Sequence, residues 1–372
     1  MSTNVSSLYE VRCQRTQAVM AELDVDYLFI GPGSDMHYLI GTPGMSNERM
    51  MLMVIPKSGQ PVMIVPALEK LATSKYATYF DLLDWKDNDG PQGRLAQVLG
   101  TAQGRQVRSA VGSQLWSMFL LQLQGVLPKG EWTTATDVLK KLRITKSAEE
   151  VQLLKEAAAI ADKAFDEVVE LRLAGRSERE LMGDIGGLLL KHGQEQMLFC
   201  IVGSGSNGAQ PHHHTGDRVI EPGDAVVLDF GGSYHGYCSD MTRTVVVGKP
   251  ADARFEEVYK AVNAARAAGH QQARPGVSCE SVDAAARKVI TEAGYGEFFV
   301  HRTGHGIGME VHEEPYIVGG NNLPLEPGMA FSIEPGIYLP GRFGVRIEDI
   351  AIVTENGEEN INLSTHEIVT VQ

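Results

Sequence analysis

The sequence predicts an α/β (α+β) protein in two parts, an α/β N-terminal domain followed by a C-terminal domain of two similar halves, and three observations predict it. Strand-like and helix-like patterns alternate over the first part of the 372-residue chain. A helix-start signal then marks a change of character near Lys146. Beyond it, two segments read as copies of one another: Glu221-Pro222-Gly223-Asp224-Ala225-Val226-Val227-Leu228-Asp229 and Glu326-Pro327-Gly328-Met329-Ala330-Phe331-Ser332-Ile333-Glu334. Each is a Pro-Gly turn, an apolar strand and a carboxylate at its end, and a buried acid is costly unless something cationic meets it.

In chain order, the first domain, residues 1–142, carries expected strands at Tyr27-Leu28-Phe29-Ile30, Met51-Leu52-Met53-Val54-Ile55 and Val62-Met63-Ile64-Val65. Ser147-Ala148-Glu149-Glu150 is a capping box, with Ser147 as N-cap and Glu150 reaching back, and opens a long amphipathic helix. The second domain is therefore placed at residues 143–372. Within it one helix is expected to end near Ala174-Gly175-Arg176-Ser177 as another begins, and the pattern recurs at Pro275-Gly276-Val277-Ser278. Each helix pair leads into strands, so two halves related by a pseudo-twofold internal repeat would enclose one cleft. His212, after Pro211, and His312, after Val311, hold matching places in the two halves.

Composition limits the function classes. A chain of 372 residues buries substantial cores without staples. The four cysteines, Cys13, Cys200, Cys238 and Cys279, are scattered without metal-ligand spacing, which suits free buried thiols in a reducing cytoplasm. Met1–Gln14 contains no apolar core of signal-peptide length, and no stretch has the apolar run of about 18 residues that a membrane span needs. The expectation is a soluble, cytoplasmic protein with no membrane partner. A formal net charge of −14 without any basic stripe argues against nucleic acid, and bound cations would offset part of it.

The candidate chemistry rests on Asp229, Asp240, His305, Glu334 and Glu348. Asp240 follows Asp229 by eleven residues and Glu348 follows Glu334 by fourteen, so each half delivers two acids. Four carboxylates and one imidazole make an oxygen-rich site suited to Mn²⁺, Co²⁺ or Zn²⁺, unlike a thiolate cage. They carry more charge than one divalent ion needs, whereas two cations about 3.5–4 Å apart would neutralise them through bridging carboxylates. Such a pair acidifies a shared water and polarises a carbonyl, which makes hydrolysis of an acyl or amide bond the natural reaction. Each residue also has a plainer explanation. Asp229 could cap a strand end, Asp240 could pair with Arg243, and Gly304-His305-Gly306-Ile307-Gly308 could be a turn. Glu348 could pair with Arg346 on one face of an apolar strand, and His213 and His214 read as solvent-facing loop histidines.

Pro211-His212, Asp229 through Asp240, Gly304-His305-Gly306-Ile307-Gly308, Ile333-Glu334-Pro335-Gly336 and Val345-Arg346-Ile347-Glu348-Asp349 together resemble the Xaa-Pro peptidase family of prolidase and aminopeptidase P. The resemblance spans essentially the whole chain, because residues 1–142 also look like the creatinase-type N-terminal domain that precedes the pita-bread catalytic domain. It implies a two-metal centre, manganese foremost with cobalt or zinc as alternatives, held by all five ligands with Asp240 and Glu348 bridging. It implies Glu334 as proton shuttle, His212 and His312 as groups flanking the metals, and Arg346 as the residue that orients its neighbours and helps bind substrate. The substrate would be a small peptide with proline second, an Xaa-Pro dipeptide foremost. Cleavage of longer peptides by an Xaa-Pro aminopeptidase is the alternative, with a lyase, a non-peptidase hydrolase or a peptide-binding protein on the same fold as further ones. Creatinase-like relatives lack the metal ligands, and the complete set here argues against that branch. A head-to-head homodimer is implied as well. Arg302, Arg342 and Arg346 are the candidates to meet a dipeptide's carboxylate.

Overall fold

The computed structural model describes residues 5–372, so Met1 to Asn4 of the Met1–Gln14 segment lie outside the described residues. The chain divides into two compact units, residues 1–143 and 144–372.

The first unit holds helices α1 (Val5–Glu22), α2 (Ser34–Ile40), α3 (Lys70–Ser74), α4 (Gln92–Leu99), α5 (Ser117–Val126) and α6 (Thr136–Arg143). Its strands are β1 (Tyr27–Ile30), β2 (Leu52–Pro56), β3 (Val62–Pro66), β4 (Asp81–Trp85), β5 (Val107–Val111) and β6 (Gly130–Thr134). They form one mixed sheet in the order β4-β3-β2-β1-β5-β6, antiparallel only at β3-β2 and β2-β1. The three expected strands appear within one residue of their expected ends. Their near-continuous apolar runs suit central strands covered on both faces, and Phe29, Val54 and Ile64 pack with Leu95, Leu99 and Phe119 of the flanking helices.

The second unit opens with α7 (Ala148–Val168), capped as expected: Ser147 Oγ accepts from Glu150 N at 3.3 Å while Glu150 accepts from Ser147 N at 2.7 Å. Then come α8 (Glu178–His192), β7 (Gln196–Ser204), β8 (Ala225–Tyr234), β9 (Tyr237–Cys238) and β10 (Met241–Val247). The second half repeats this with α9 (Phe255–Gln272), α10 (Cys279–Glu292), β11 (Gly304–Gly306), β12 (Glu313–Ile317) and β13 (Ala330–Ile333). The hairpin β14 (Gly336–Leu339) and β15 (Phe343–Arg346) follows, then β16 (Asp349–Thr354), β17 (Gly357–Asn360) and β18 (Val369–Val371). Two sheets result, β18-β10-β8-β7 with β9 on β8, and β12-β11-β13-β16-β17.

The internal repeat extends to single hydrogen bonds. Gly175 and Gly276 precede the serine caps of α8 and α10 at φ +86° and +83°. Their amides donate to Ile220 O at 2.9 Å and Leu325 O at 2.8 Å. Gly223 and Gly328, in the two Glu-Pro-Gly turns, sit at φ +94° and +90° and donate to Val247 O and Val353 O. Glycine occupies these turns because a side chain is strained there. The halves meet where Glu348 N donates to Thr242 O at 3.0 Å, beside a 2.6 Å bond from Thr242 Oγ1 to Glu348 Oε2.

Several expectations are corrected. Helix α7 ends at Val168, well before Ala174. Asp229 does not end its strand but is the fifth of ten residues in β8. Glu348 lies between β15 and β16 rather than on an apolar strand with Arg346. Gly304–Gly306 is a strand, not a turn, and its glycines are required by close backbone approach: a Cβ on Gly304 would lie 1.8 Å from Ser332 O. Gly304→Ala is therefore expected to cost about 2–3 kcal/mol, because rigid backbone must move; thermal unfolding checks this, and an unchanged midpoint would refute the clash. Cys13, Cys238 and Cys279 are buried and Cys200 is half-buried. Among the described residues no helix is long and apolar enough to cross a membrane.

Candidate metal centre

One cavity of about 700 Å³ is lined by Asp229, Asp240, His305, Glu334 and Glu348 together with His212, His312 and Arg346. The elements explain the convergence. β10 runs antiparallel to β8 with Thr242 opposite Asp229, so Asp240, just before β10, returns to the same end of the sheet. β13 runs antiparallel to β16 with Ile333 opposite Asp349, which brings the residue after β13, Glu334, near the residue before β16, Glu348. β11 lies beside β13 and adds His305.

Asp240, His305 and Glu348 each offer a ligand atom within 4.8 Å of the others, all three buried. His305 Nε2 is 3.6 Å from Asp240 Oδ2 and 3.3 Å from Glu334 Oε1. Asp229 joins them from β8, but one of its oxygens is taken by Arg346. Arg346, 3% exposed, also donates to Tyr338 Oη at 2.8 Å, Thr242 Oγ1 at 3.1 Å and Pro211 O at 3.2 Å. Its ion pair is thus with Asp229 on β8, not with Glu348. Asp240 does not pair with Arg243, which is committed to Asp349 at 2.8 Å.

Burial pushes the carboxyls of Asp240 and Glu348 well above the usual range, and the charges of Asp229 and Glu334 add to both. Burial likewise raises Glu334 to about 7. His305 is lowered to about 3, by burial and then by His312, whose ring centroid is 4.0 Å away, so it is a neutral imidazole, the form that binds metal. Asp229 Oδ1 and Asp240 Oδ1 are buried without a hydrogen-bond partner among the described residues. Buried acids that repel one another and leave lone pairs unused fit divalent cations, and the donor set fits hard ones.

A pH prediction follows. The raised carboxyls make the metal-free fold bind more protons than the unfolded chain between the ordinary carboxylate range and about 7. Their contribution to stability is full below that window and is lost as pH rises through it. Below about pH 6.5 His301, His305 and His312, whose pKa values are lowered by desolvation, oppose this trend, so the melting temperature of chelated protein should fall as pH rises above about 6.5, while divalent metal restores it most at the upper end. A metal-dependent increment that shrinks with rising pH would contradict this.

Some groups carry no signal in the ligand pattern alone. Ser332 Oγ accepts from His305 N at 3.0 Å and donates to Glu334 Oε1 at 3.1 Å, and Thr242 serves Glu348 and Arg346 in the same way. The signal that finds them is strand period: Ser332 and Thr242 each lie two residues from a candidate ligand. His213 is not a free loop histidine, because its Nε2 lies 2.8 Å from Glu178 Oε2; His214 is exposed.

A cavity walled by acids and imidazole, set between two repeated halves, defines the class as a metal-dependent hydrolase. The chain belongs to metallopeptidase family M24, whose model matches residues 152–355, and residues 12–145 match the creatinase/prolidase N-terminal domain. The second unit is accordingly a pita-bread fold. The chain is 45% identical to the probable dipeptidase PepE of Mycobacterium tuberculosis over 98% of this chain and 97% of the relative. It is 35% identical to the Xaa-Pro dipeptidase of Lactobacillus delbrueckii subsp. lactis over 92% and 94%. A recombinant prolidase from Thermococcus sibiricus superposes with a TM-score of 0.94 at 36% identity, covering 98% of this chain and 99% of that one.

Proposed function

We propose that the chain is an Xaa-Pro dipeptidase with a two-metal centre. The observation that carries the reading is the convergence of five candidate ligands and two histidines on one cavity. Asp229, Asp240, His305, Glu334 and Glu348 would hold two divalent cations, manganese being the ion that an oxygen-rich set favours. When bound, such a pair polarises the scissile carbonyl and acidifies the attacking water. Glu334 takes the water proton and delivers it to the leaving proline nitrogen. His212 and His312, facing the cavity from opposite halves, donate hydrogen bonds to the developing oxyanion. Arg346 acts by holding Asp229 in place.

Of the three arginine candidates, Arg302 suits the substrate carboxylate. Arg342 is tied to Asp252, and Arg346 is saturated by Asp229, Tyr338, Thr242 and Pro211. Arg302 lines the cavity, its guanidinium 4.4 Å from the Tyr316 ring centroid, and makes no ion pair among the described residues. Stacking on the ring leaves the fork of N–H groups for a carboxylate. Arg302→Ala is expected to raise KM for an Xaa-Pro dipeptide about 10–100-fold with little change for the dipeptide amide, as loss of one charge-assisted contact predicts. Equal losses on acid and amide would refute the assignment. Four cysteines scattered without metal-ligand spacing support a cytoplasmic setting, and we assign the family's homodimer to the chain.

The test is hydrolysis of an Xaa-Pro dipeptide and an Xaa-Pro-Yaa tripeptide by chelated protein resupplied separately with Mn²⁺, Co²⁺ and Zn²⁺. Metal-restored cleavage with the dipeptide preferred supports the reading. Preference for the tripeptide turns it into an aminopeptidase, and folded protein cleaving neither peptide overturns it.

A further inference from the structure

The residue following each cavity histidine is held through its side chain by a largely buried charged partner, a carboxylate in one half and an ammonium in the other. After His212 comes His213, whose Nε2 donates to Glu178 Oε2 at 2.8 Å. After His312 comes Glu313, whose Oε1 accepts from Lys146 Nζ at 2.8 Å, the two side chains 9% and 2% exposed. Neither pair lines the cavity.

Glu178 is the first residue of α8, and its side chain is fully buried. One oxygen accepts from Ser204 N at 2.8 Å, Ser204 Oγ at 2.7 Å and Asn207 Nδ2 at 3.0 Å. The other accepts from His213 and, at 3.4 Å, from Gly216 N. Every donor belongs to the end of β7 or to the 205–216 segment that carries His212, so one carboxylate gathers both ends of that segment. Burial pushes the Glu178 carboxyl up, and the bonds from Ser204, His213 and Asn207 more than reverse this, so it is an ion. In the other half Lys146 N donates to Gly328 O at 2.8 Å, which fixes the lysine to the second Glu-Pro-Gly turn. Gly308 leaves room for the Glu313 carboxylate: a Cβ there would lie 2.5 Å from its Oε1.

We propose that the Glu178–His213 and Lys146–Glu313 pairs are positioning devices for the peptidase reaction, fixing His212 and His312 through the peptide bond to the next residue. The proposal rests on the assignment of those histidines to the oxyanion. Two loops reaching one transition state from opposite halves need independent anchors, because a displacement of about 1 Å in a catalytic group can cost about a hundredfold in rate. A largely buried side-chain contact beside each histidine supplies one.

Glu178→Gln and Glu313→Gln keep shape and one acceptor oxygen while turning the other into an N–H donor, and each is combined with His212→Ala and with His312→Ala in the metal-loaded enzyme. Glu178→Gln should lower kcat on an Xaa-Pro dipeptide about 10–100-fold with metal content unchanged. It should cost less than about twofold once His212 is alanine, yet retain its full effect beside His312→Ala. Glu313→Gln should show the mirror pattern. Losses of equal size in all backgrounds would mean general support of the fold and overturn the proposal, as would full activity in the single variants. Amide hydrogen exchange decides the matter independently of the substrate: Glu178→Gln should speed exchange across 205–216 and Glu313→Gln across 308–316, and unchanged exchange overturns the anchoring. Wild-type protein that cleaves no Xaa-Pro peptide would instead refute the functional reading while leaving the exchange result intact.

Discussion

Asp240→Ala is expected to lose turnover and metal together, while its metal-free form melts at or above the temperature of metal-free wild type. The carboxylate sits 3% exposed among Asp229, Glu334 and Glu348, and its nearest imidazole nitrogen is 3.6 Å away. It makes no hydrogen bond among the described residues, and one oxygen is buried without a partner. Removing it orphans no donor and relieves repulsion on its neighbours, so the fold loses nothing that the chain itself supplies. The centre, by contrast, loses a group proposed to hold its cations, several kcal/mol of charge stabilisation and on the order of a thousandfold in rate. Metal analysis and calorimetry on stripped and loaded protein separate the two effects. A variant that retains two metals per chain and near-normal turnover would sink the dinuclear reading; one that fails to fold without metal would show that Asp240 has a structural role the geometry does not reveal.

What the sequence discloses here is period and punctuation. The Glu-Pro-Gly turns are visible because only glycine tolerates φ near +90°, and the Ser147 capping box because its two bonds involve residues three apart. The strands of the first unit are visible because their apolar runs have nowhere to go but a covered sheet. Partnership across strands is a different matter. Arg346 and Glu348 share a period of two in the sequence, yet the arginine crosses to Asp229 on β8, 117 residues away. His213 looks like one of two loop histidines until α8 brings Glu178 against it. Asp229 seems to end a strand because its acid interrupts an apolar run, whereas β8 continues to Tyr234 through glycines and a serine that small cross-strand spacing admits. Long-range pairing follows from how the two halves dock, and a single sequence carries no local mark of it.

Glu334→Gln is expected to lower kcat by about 10²–10⁴-fold even at saturating metal, the range for loss of a general acid–base group. Its backbone is fixed by a 2.8 Å bond from Glu334 N to Thr303 O, and Oε1 accepts from Ser332 Oγ at 3.1 Å, contacts that glutamine keeps in shape. What glutamine cannot do is accept and return a proton. In the metal-free chain burial already lifts this carboxyl to about 7, where a proton is gained or lost with little driving force near neutral pH. Glu334 is also a candidate ligand, so the variant should bind metal more weakly, and the two roles must be separated by titration. Activity that climbs to the wild-type level as Mn²⁺ is raised would leave Glu334 as a ligand only. Activity that saturates at a low plateau, with metal content restored, assigns it the proton. KM should move little in that plateau state, because the substrate carboxylate is assigned to Arg302 and the loss falls on the step in which the proline nitrogen departs.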